Sequence, residues 1–162
     1  MRIYLTNSNE DQFKLFFNYL KKYIKKGDNV YLELDLVKFG KINNVNISKK
    51  DFLDFFFKLF TKLVGKTGNI IVPTFSYSWG FDKEEKIFDV RNTKNETGIF
   101  PEYMLKYKNS KRSLDPMFSV AAYGPKKDYF TNCKNNAFGK NSFFDKIHKE
   151  GGKLISFGLN KF

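Results

Sequence analysis

The stretch from Asn29 to Pro73 constrains the fold more than any other part of the chain. Asn29 to Leu36 alternates strictly: Val30, Leu32, Leu34 and Leu36 face one way, and Tyr31, Glu33 and Asp35 face the other. A period of two is the pattern of a strand. From about Lys49 to Val64, Phe52, Phe55, Phe56, Leu59 and Leu63 recur at helical spacing, with Phe57 and Phe60 widening the stripe. An aromatic stripe of this kind is core. Ser48 is placed to cap the helix and Gly65 to end it. Asn69 to Pro73 then reads as a short buried strand. Strand, helix and strand in that order need a crossover connection, which makes the two strands parallel members of one sheet. The expected class is α/β, a mixed, largely parallel sheet flanked by helices in three layers.

The remaining elements extend this unit. Phe13, Phe16, Phe17, Leu20 and Ile24 predict a helix from Glu10 to Lys26, with Asn9 as cap, Gln12 reaching back and Gly27 at its end. Thr74 to Thr97 has weak periodicity and many polar and aromatic residues, and a loop of that length in a compact domain is usually functional. Gly98 to Tyr107 reads as a short helix and Phe118 to Tyr123 as a strand. Ser142 caps a helix to about Lys149, Gly151 and Gly152 stop it, and Lys153 to Phe157 is a last buried strand. Without repeats or linkers, residues 1–162 read as a single domain. In α/β sheets ligands lie beyond the carboxyl ends of the strands, and only Leu159 to Phe162 follow the last one. The expectation is therefore an incomplete domain whose C-terminal part is missing.

Composition narrows the function classes. One cysteine excludes a disulfide framework and a cysteine-based zinc site, and no metal is expected. The first residues, MRIYLTNSNEDQ, contain no apolar signal region, and no apolar run approaches the roughly 20 residues of a membrane helix. A cytoplasmic protein without a membrane partner is expected. The formal charge is +12, yet only Arg2, Arg91 and Arg112 are arginines and the other bases are lysines spread along the chain. Base readout and bidentate phosphate binding favour the arginine fork, so this charge reads as a solvated lysine surface, with no nucleic-acid partner. Walker, Rossmann, HExxH and GxSxG motifs are absent. His148, near the end of a short helix, reads as a surface residue, and Cys133 lacks the flanking His of a nucleophile. Glu33 and Asp35 share a strand face and read as solvated or lysine-paired.

Six segments in fixed order point further. They are GDNVYLELDLVKFG (27–40), VGKTGNIIVPTFSYS (64–78), FDVRNTKNETGIFPE (88–102), KRSLDPMFSVAAYGP (111–125), AFGKNSFFDKI (137–147) and GGKLISFG (151–158). Each is weak alone. Together, with VPTFSYS, RS-x-x-P-x-x-S-V and FG-x-x-S in register, they resemble the aminoglycoside 3-N-acetyltransferase family of antibiotic N-acetyltransferases, from Gly27 to Phe162.

The resemblance implies acetyl-coenzyme A as co-substrate and a small-molecule aminosugar as acceptor, either an aminoglycoside antibiotic or a cell-surface glycan precursor. It assigns the pantetheine arm and phosphates of coenzyme A to Leu36, Thr74, Arg112, Ser113, Ser119 and Val120. A guanidinium fork at Arg112 suits a phosphate, and hydroxyls and backbone N–H groups suit amide and thioester oxygens. It places Tyr77 and Glu102 in the aminosugar pocket, where an acid suits a cationic amine and an aromatic face suits a sugar ring. The family transfers acetyl directly to the amine, with a His as general base in a Thr-x-x-His segment after the strand matching KLISFG. That segment would lie beyond Phe162, and His148 does not align with it. These 162 residues are therefore expected to bind acetyl-coenzyme A weakly with negligible turnover. Two further departures bear on the acceptor: the family's His-Ser-Ser-Leu is Glu33-Leu34-Asp35-Leu36 here, and its Arg-Ser-x-His-Pro is Arg112-Ser113-Leu114-Asp115-Pro116. The alternative reading is a non-catalytic basic module that binds coenzyme A or nucleic acid.

Overall fold

A computed structural model describes residues 9–36, 48–77, 87–133 and 136–158, with side chains from residue 14 onward. In chain order its elements are α1 (Asn9–Leu20), β1 (Asn29–Leu34), α2 (Lys49–Val64), β2 (Asn69–Pro73), α3 (Ile99–Lys106), β3 (Lys111–Arg112), β4 (Val120–Tyr123), α4 (Lys127–Thr131), α5 (Phe143–Lys149) and β5 (Lys153–Phe157). The strands form one sheet in the order β3-β4-β2-β1-β5. β1 pairs parallel with β2 and with β5, whereas β4 pairs antiparallel with β2 and with β3. Four of the five strands thus run the same way and only β4 is reversed, a mixed, largely parallel sheet.

Alternation along the strands sends side chains into two cores. Val30, Leu32, Leu34, Ile70, Val72 and Ala121 pack with the buried side of α2, with Phe16 and Leu20 of α1, and with Phe100 and Met104 of α3. On the other face Tyr31, Ile71, Val120 and Ala122 pack with Phe130 of α4 and Phe143 of α5. Three layers result, as the sequence predicts. Ser48 caps α2 by accepting from the Asp51 N–H at 3.1 Å, and Ser142 caps α5 by accepting from the Asp145 N–H at 3.2 Å.

Some boundaries differ from expectation. α1 ends at Leu20, six residues before Lys26, although Ile24 stays in the core through its N–H bond to the Leu20 carbonyl. Gly27 then turns the chain at φ +90°, and its N–H reaches the carbonyl of Val64. The Asn9, Gln12 and Phe13 side chains lie outside the described ones. β5 is an outer strand of the described sheet rather than a buried one, and its Leu154 is 54% exposed. β3 and α4 have two and five residues, too few for any periodicity to reveal them.

The amino end of the sheet is closed by side-chain amides. Asn69 donates to Asn29 Oδ1 at 2.8 Å and accepts at Oδ1 from the Lys126 N–H at 2.8 Å. Gly124 makes this possible: at φ +128°, a Cβ there would stand 2.5 Å from Asn69 Oδ1 and 2.6 Å from the Gly68 carbonyl. No described helix is long and apolar enough to cross a membrane.

Candidate active site

At the opposite end, three segments of two loops meet where β2 ends and β4 begins, at the Pro73–Val120 pair. They cover 74–77, 87–97 and 113–119, and Arg112 ties them together. Arg112 is 7% exposed. Its Nε donates to Ser119 Oγ at 3.1 Å, Nη1 to the Thr93 carbonyl at 2.5 Å, and Nη2 to the Thr74 carbonyl at 2.8 Å and Ser76 Oγ at 3.2 Å. The guanidinium also lies over the Phe88 ring, 5.0 Å from its centroid. Burial pulls its pKa down from the ordinary value.

The hydroxyls around Arg112 are equally engaged. Ser119 Oγ donates to the Thr74 carbonyl at 2.7 Å and lies 2.9 Å from Thr74 Oγ1. With the bond from Arg112, this uses its single donor and both lone pairs. Ser113 and Val120 exchange two bonds of 2.9 Å, N–H to carbonyl and N–H to Oγ. Asp115 Oδ1 accepts from the N–H groups of Met117 at 3.0 Å and Phe118 at 2.7 Å, which turns the chain into β4. Thr97 Oγ1 donates to the Pro73 carbonyl at 2.6 Å, and Ser76 Oγ to that of Lys94 at 3.1 Å. A buried polar network with its partners supplied is a rigid floor.

The structure therefore brings Thr74, Arg112, Ser113, Ser119 and Val120 into one cluster, as the resemblance implies, and buries them all. Leu36 is buried separately, in the core beneath α2. The expected free fork of Arg112 is not what the geometry displays. Four of its N–H groups meet the protein's own oxygens, leaving one hydrogen on Nη1. Ser76, Thr93 and Phe88 complete this clamp, and sequence reasoning did not single them out. Two of the four acceptors are backbone carbonyls, which no residue type announces.

On the acceptor side, Tyr77 is exposed and meets Phe75 edge-on at 5.9 Å. Glu102, in the first turn of α3, pairs with Lys106 at 2.7 Å, and that lysine holds its carboxyl below the usual range. His148 is exposed in the last turn of α5, just before β5 begins, and so lies at the amino edge of the sheet. Cys133 is buried and donates to the Phe130 carbonyl at 3.0 Å; burial pushes its thiol up, away from a nucleophile's range. No group of metal-ligating side chains occurs among the described residues.

Residues 36–161 match the family described as aminoglycoside 3-N-acetyltransferase (Antibiotic_NAT). The chain belongs to that family. Solved structures of similar fold include AAC-IIIb in a binary complex with CoASH, at 18% identity and a TM-score of 0.72 over 89% of this chain and 58% of that one. AAC-VIa with bound sisomicin is similar at 19% identity, with a TM-score of 0.72 over 94% of this chain and 60% of that one. YokD from Bacillus subtilis matches at 20% identity, with a TM-score of 0.72 over 89% of this chain and 63% of that one. The chain thus spans 58–63% of these proteins' lengths. No curated protein matches it.

Within this acetyltransferase family, the two local departures now have a structural setting. Asp115, in the Arg-Ser-x-His-Pro position of a His, is 7% exposed and serves the turn between β3 and β4. Glu33 and Asp35 lie on and just after β1, on the side of α4 and α5, where the family pattern has a His and a Ser.

Proposed function

We propose that the protein is an acetyl-coenzyme A-dependent N-acetyltransferase acting on an amino group of an aminosugar, an aminoglycoside or a surface-glycan precursor, and that these 162 residues contribute part of its coenzyme A site. The family match over 36–161 carries the reading. The loop cluster supports it, because it lies at the carboxyl end of parallel β2, where α/β sheets receive ligands. The N–H groups of Thr74, Ser76, Ser113, Met117, Phe118 and Val120 are bonded within the protein and hold the floor of the site, and the remaining Nη1 hydrogen of Arg112 suits an amide or phosphate oxygen of coenzyme A. Coenzyme A supplies the thioester acyl group; the chain's residues position it and the amine.

An amine is protonated at neutral pH and must lose a proton to attack, which calls for a base titrating near the operating pH. His148 is the single histidine of the sequence and sits at the opposite edge of the sheet. It is not that base. These 162 residues are expected to bind acetyl-coenzyme A and to acetylate sisomicin at a negligible rate, unchanged in His148→Ala. Mass spectrometry of sisomicin incubated with the chain and acetyl-coenzyme A tests this. Acetylation that His148→Ala abolishes would contradict the assignment. Salt separates it from nucleic-acid binding, where lysine–phosphate contacts weaken about 10³-fold or more between 50 and 200 mM salt.

A further inference from the structure

In a chain of charge +12, several carboxylates find a lysine. Asp28 pairs with Lys153, Asp128 with Lys111, Asp145 with Lys149, Glu102 with Lys106 and Glu150 with Lys126. Glu33 does not. It is half-buried in the middle of the sheet, between β2 and β5, and its one contact among the described residues is a 3.3 Å hydrogen bond from Ser156 Oγ.

Two residues earlier on the same strand face stands Tyr31, about 6.7 Å away along the strand. Tyr31 is 7% exposed, and its hydroxyl has no hydrogen-bond partner among the described residues. A buried polar group left so is costly, and native structures rarely retain one without a use. Burial raises the phenol most, and Glu33 and Tyr77 add to the rise. The ring is held by Phe143 at 5.3 Å and Phe144 at 6.4 Å. From Phe144 an aromatic rim continues through Phe138, stacked at 5.2 Å, to Phe118 at 5.4 Å from Phe138. Phe75 and then Tyr77 complete it.

An unpaired carboxylate, an unpartnered hydroxyl and an aromatic rim are complementary to a protonated amine on a sugar ring. We infer that Glu33 and Tyr31 form the subsite that takes the acceptor's ammonium group. Glu33 supplies the countercharge, Tyr31 a hydrogen bond, and the rim a surface for the ring's apolar face. Glu102, already paired with its helix neighbour, is then secondary. This inference rests on the aminosugar reading above.

Calorimetric titration of sisomicin into the chain tests it. Glu33→Gln is expected to weaken binding about 10-fold or more, as a charge-assisted contact is lost. Tyr31→Phe is expected to weaken it about 3- to 10-fold while leaving the melting temperature equal or higher, because it removes an unsatisfied hydroxyl. Asp128→Asn, which breaks an exposed surface pair, leaves affinity unchanged. Wild-type affinity in both Glu33→Gln and Tyr31→Phe overturns the subsite alone. So does a clear loss of thermal stability in Tyr31→Phe, which would mean that the hydroxyl already has a partner. A wild-type chain that binds neither sisomicin nor glucosamine overturns the aminosugar reading itself, and the subsite with it.

Discussion

Replacing Arg112 by alanine is expected to destabilise the protein by about 3 kcal/mol, since each buried acceptor left without its donor costs about 1–3 kcal/mol. The Thr93 carbonyl loses the bond that holds it to the sheet, and Ser76 Oγ and Ser119 Oγ each lose a charged donor. The Thr74 carbonyl fares better because Ser119 Oγ still donates to it. For a chain of this size such a loss lowers the melting temperature by about 6–12 °C. Arg112→Lys should recover less than half of it, because a single ammonium cannot span oxygens set around a planar fork. Arg91→Ala, at an exposed position, should change little. A melting temperature that survives Arg112→Ala would mean that the guanidinium is not a clamp and is free for a phosphate, as the family resemblance alone suggests.

Phe60→Ala is expected to cost about 3–5 kcal/mol, the range for emptying a fully buried phenylalanine site. Phe60 is completely buried in α2, within the core that packs α2 on the sheet, and meets Phe157 of β5 edge-on at 6.2 Å. It also supports the outer strand. Leu15→Ala, on the exposed side of α1, should stay within about 0.5 kcal/mol of wild type. Midpoints of urea unfolding for the two variants measure the contrast. Equal midpoints would contradict the placement of α2 in the core.

The contrast between α2 and Arg112 indicates what the sequence discloses. The phenylalanines of α2 repeat at helical spacing, so the pattern identifies the helix and both ends, Ser48 and Gly65, although the buried side is turned toward Leu53, with Phe52 and Phe55 only half-buried. β2 and β5 are equally legible, because short apolar runs between glycines and caps leave little choice. The exposure of β5 is not legible, since burial depends on which strands flank it in the sheet. Strand order is non-local, and so is the antiparallel pairing of β4 with β2 that makes the sheet mixed. The site follows the same division. Motifs in register pick out Thr74, Arg112, Ser113, Ser119 and Val120, and the fold gathers them. Their internal bonding runs through the carbonyls of Thr74 and Thr93, which carry no side-chain signature. Tyr31 and Glu33 look like an ordinary alternating strand until the unsatisfied Tyr31 hydroxyl is seen beside them in the fold.

The most direct test follows backbone amides of the labelled chain by NMR while acetyl-coenzyme A is added at 150 mM salt. Saturable shifts are predicted at Thr74, Ser76, Ser113, Ser119 and Val120, with the amino-edge residues Asn69, Lys126 and His148 unmoved. Shifts confined to lysine-rich surfaces and lost as salt rises, or no shifts at saturating acetyl-coenzyme A, would contradict an acetyltransferase site at the carboxyl edge of this sheet.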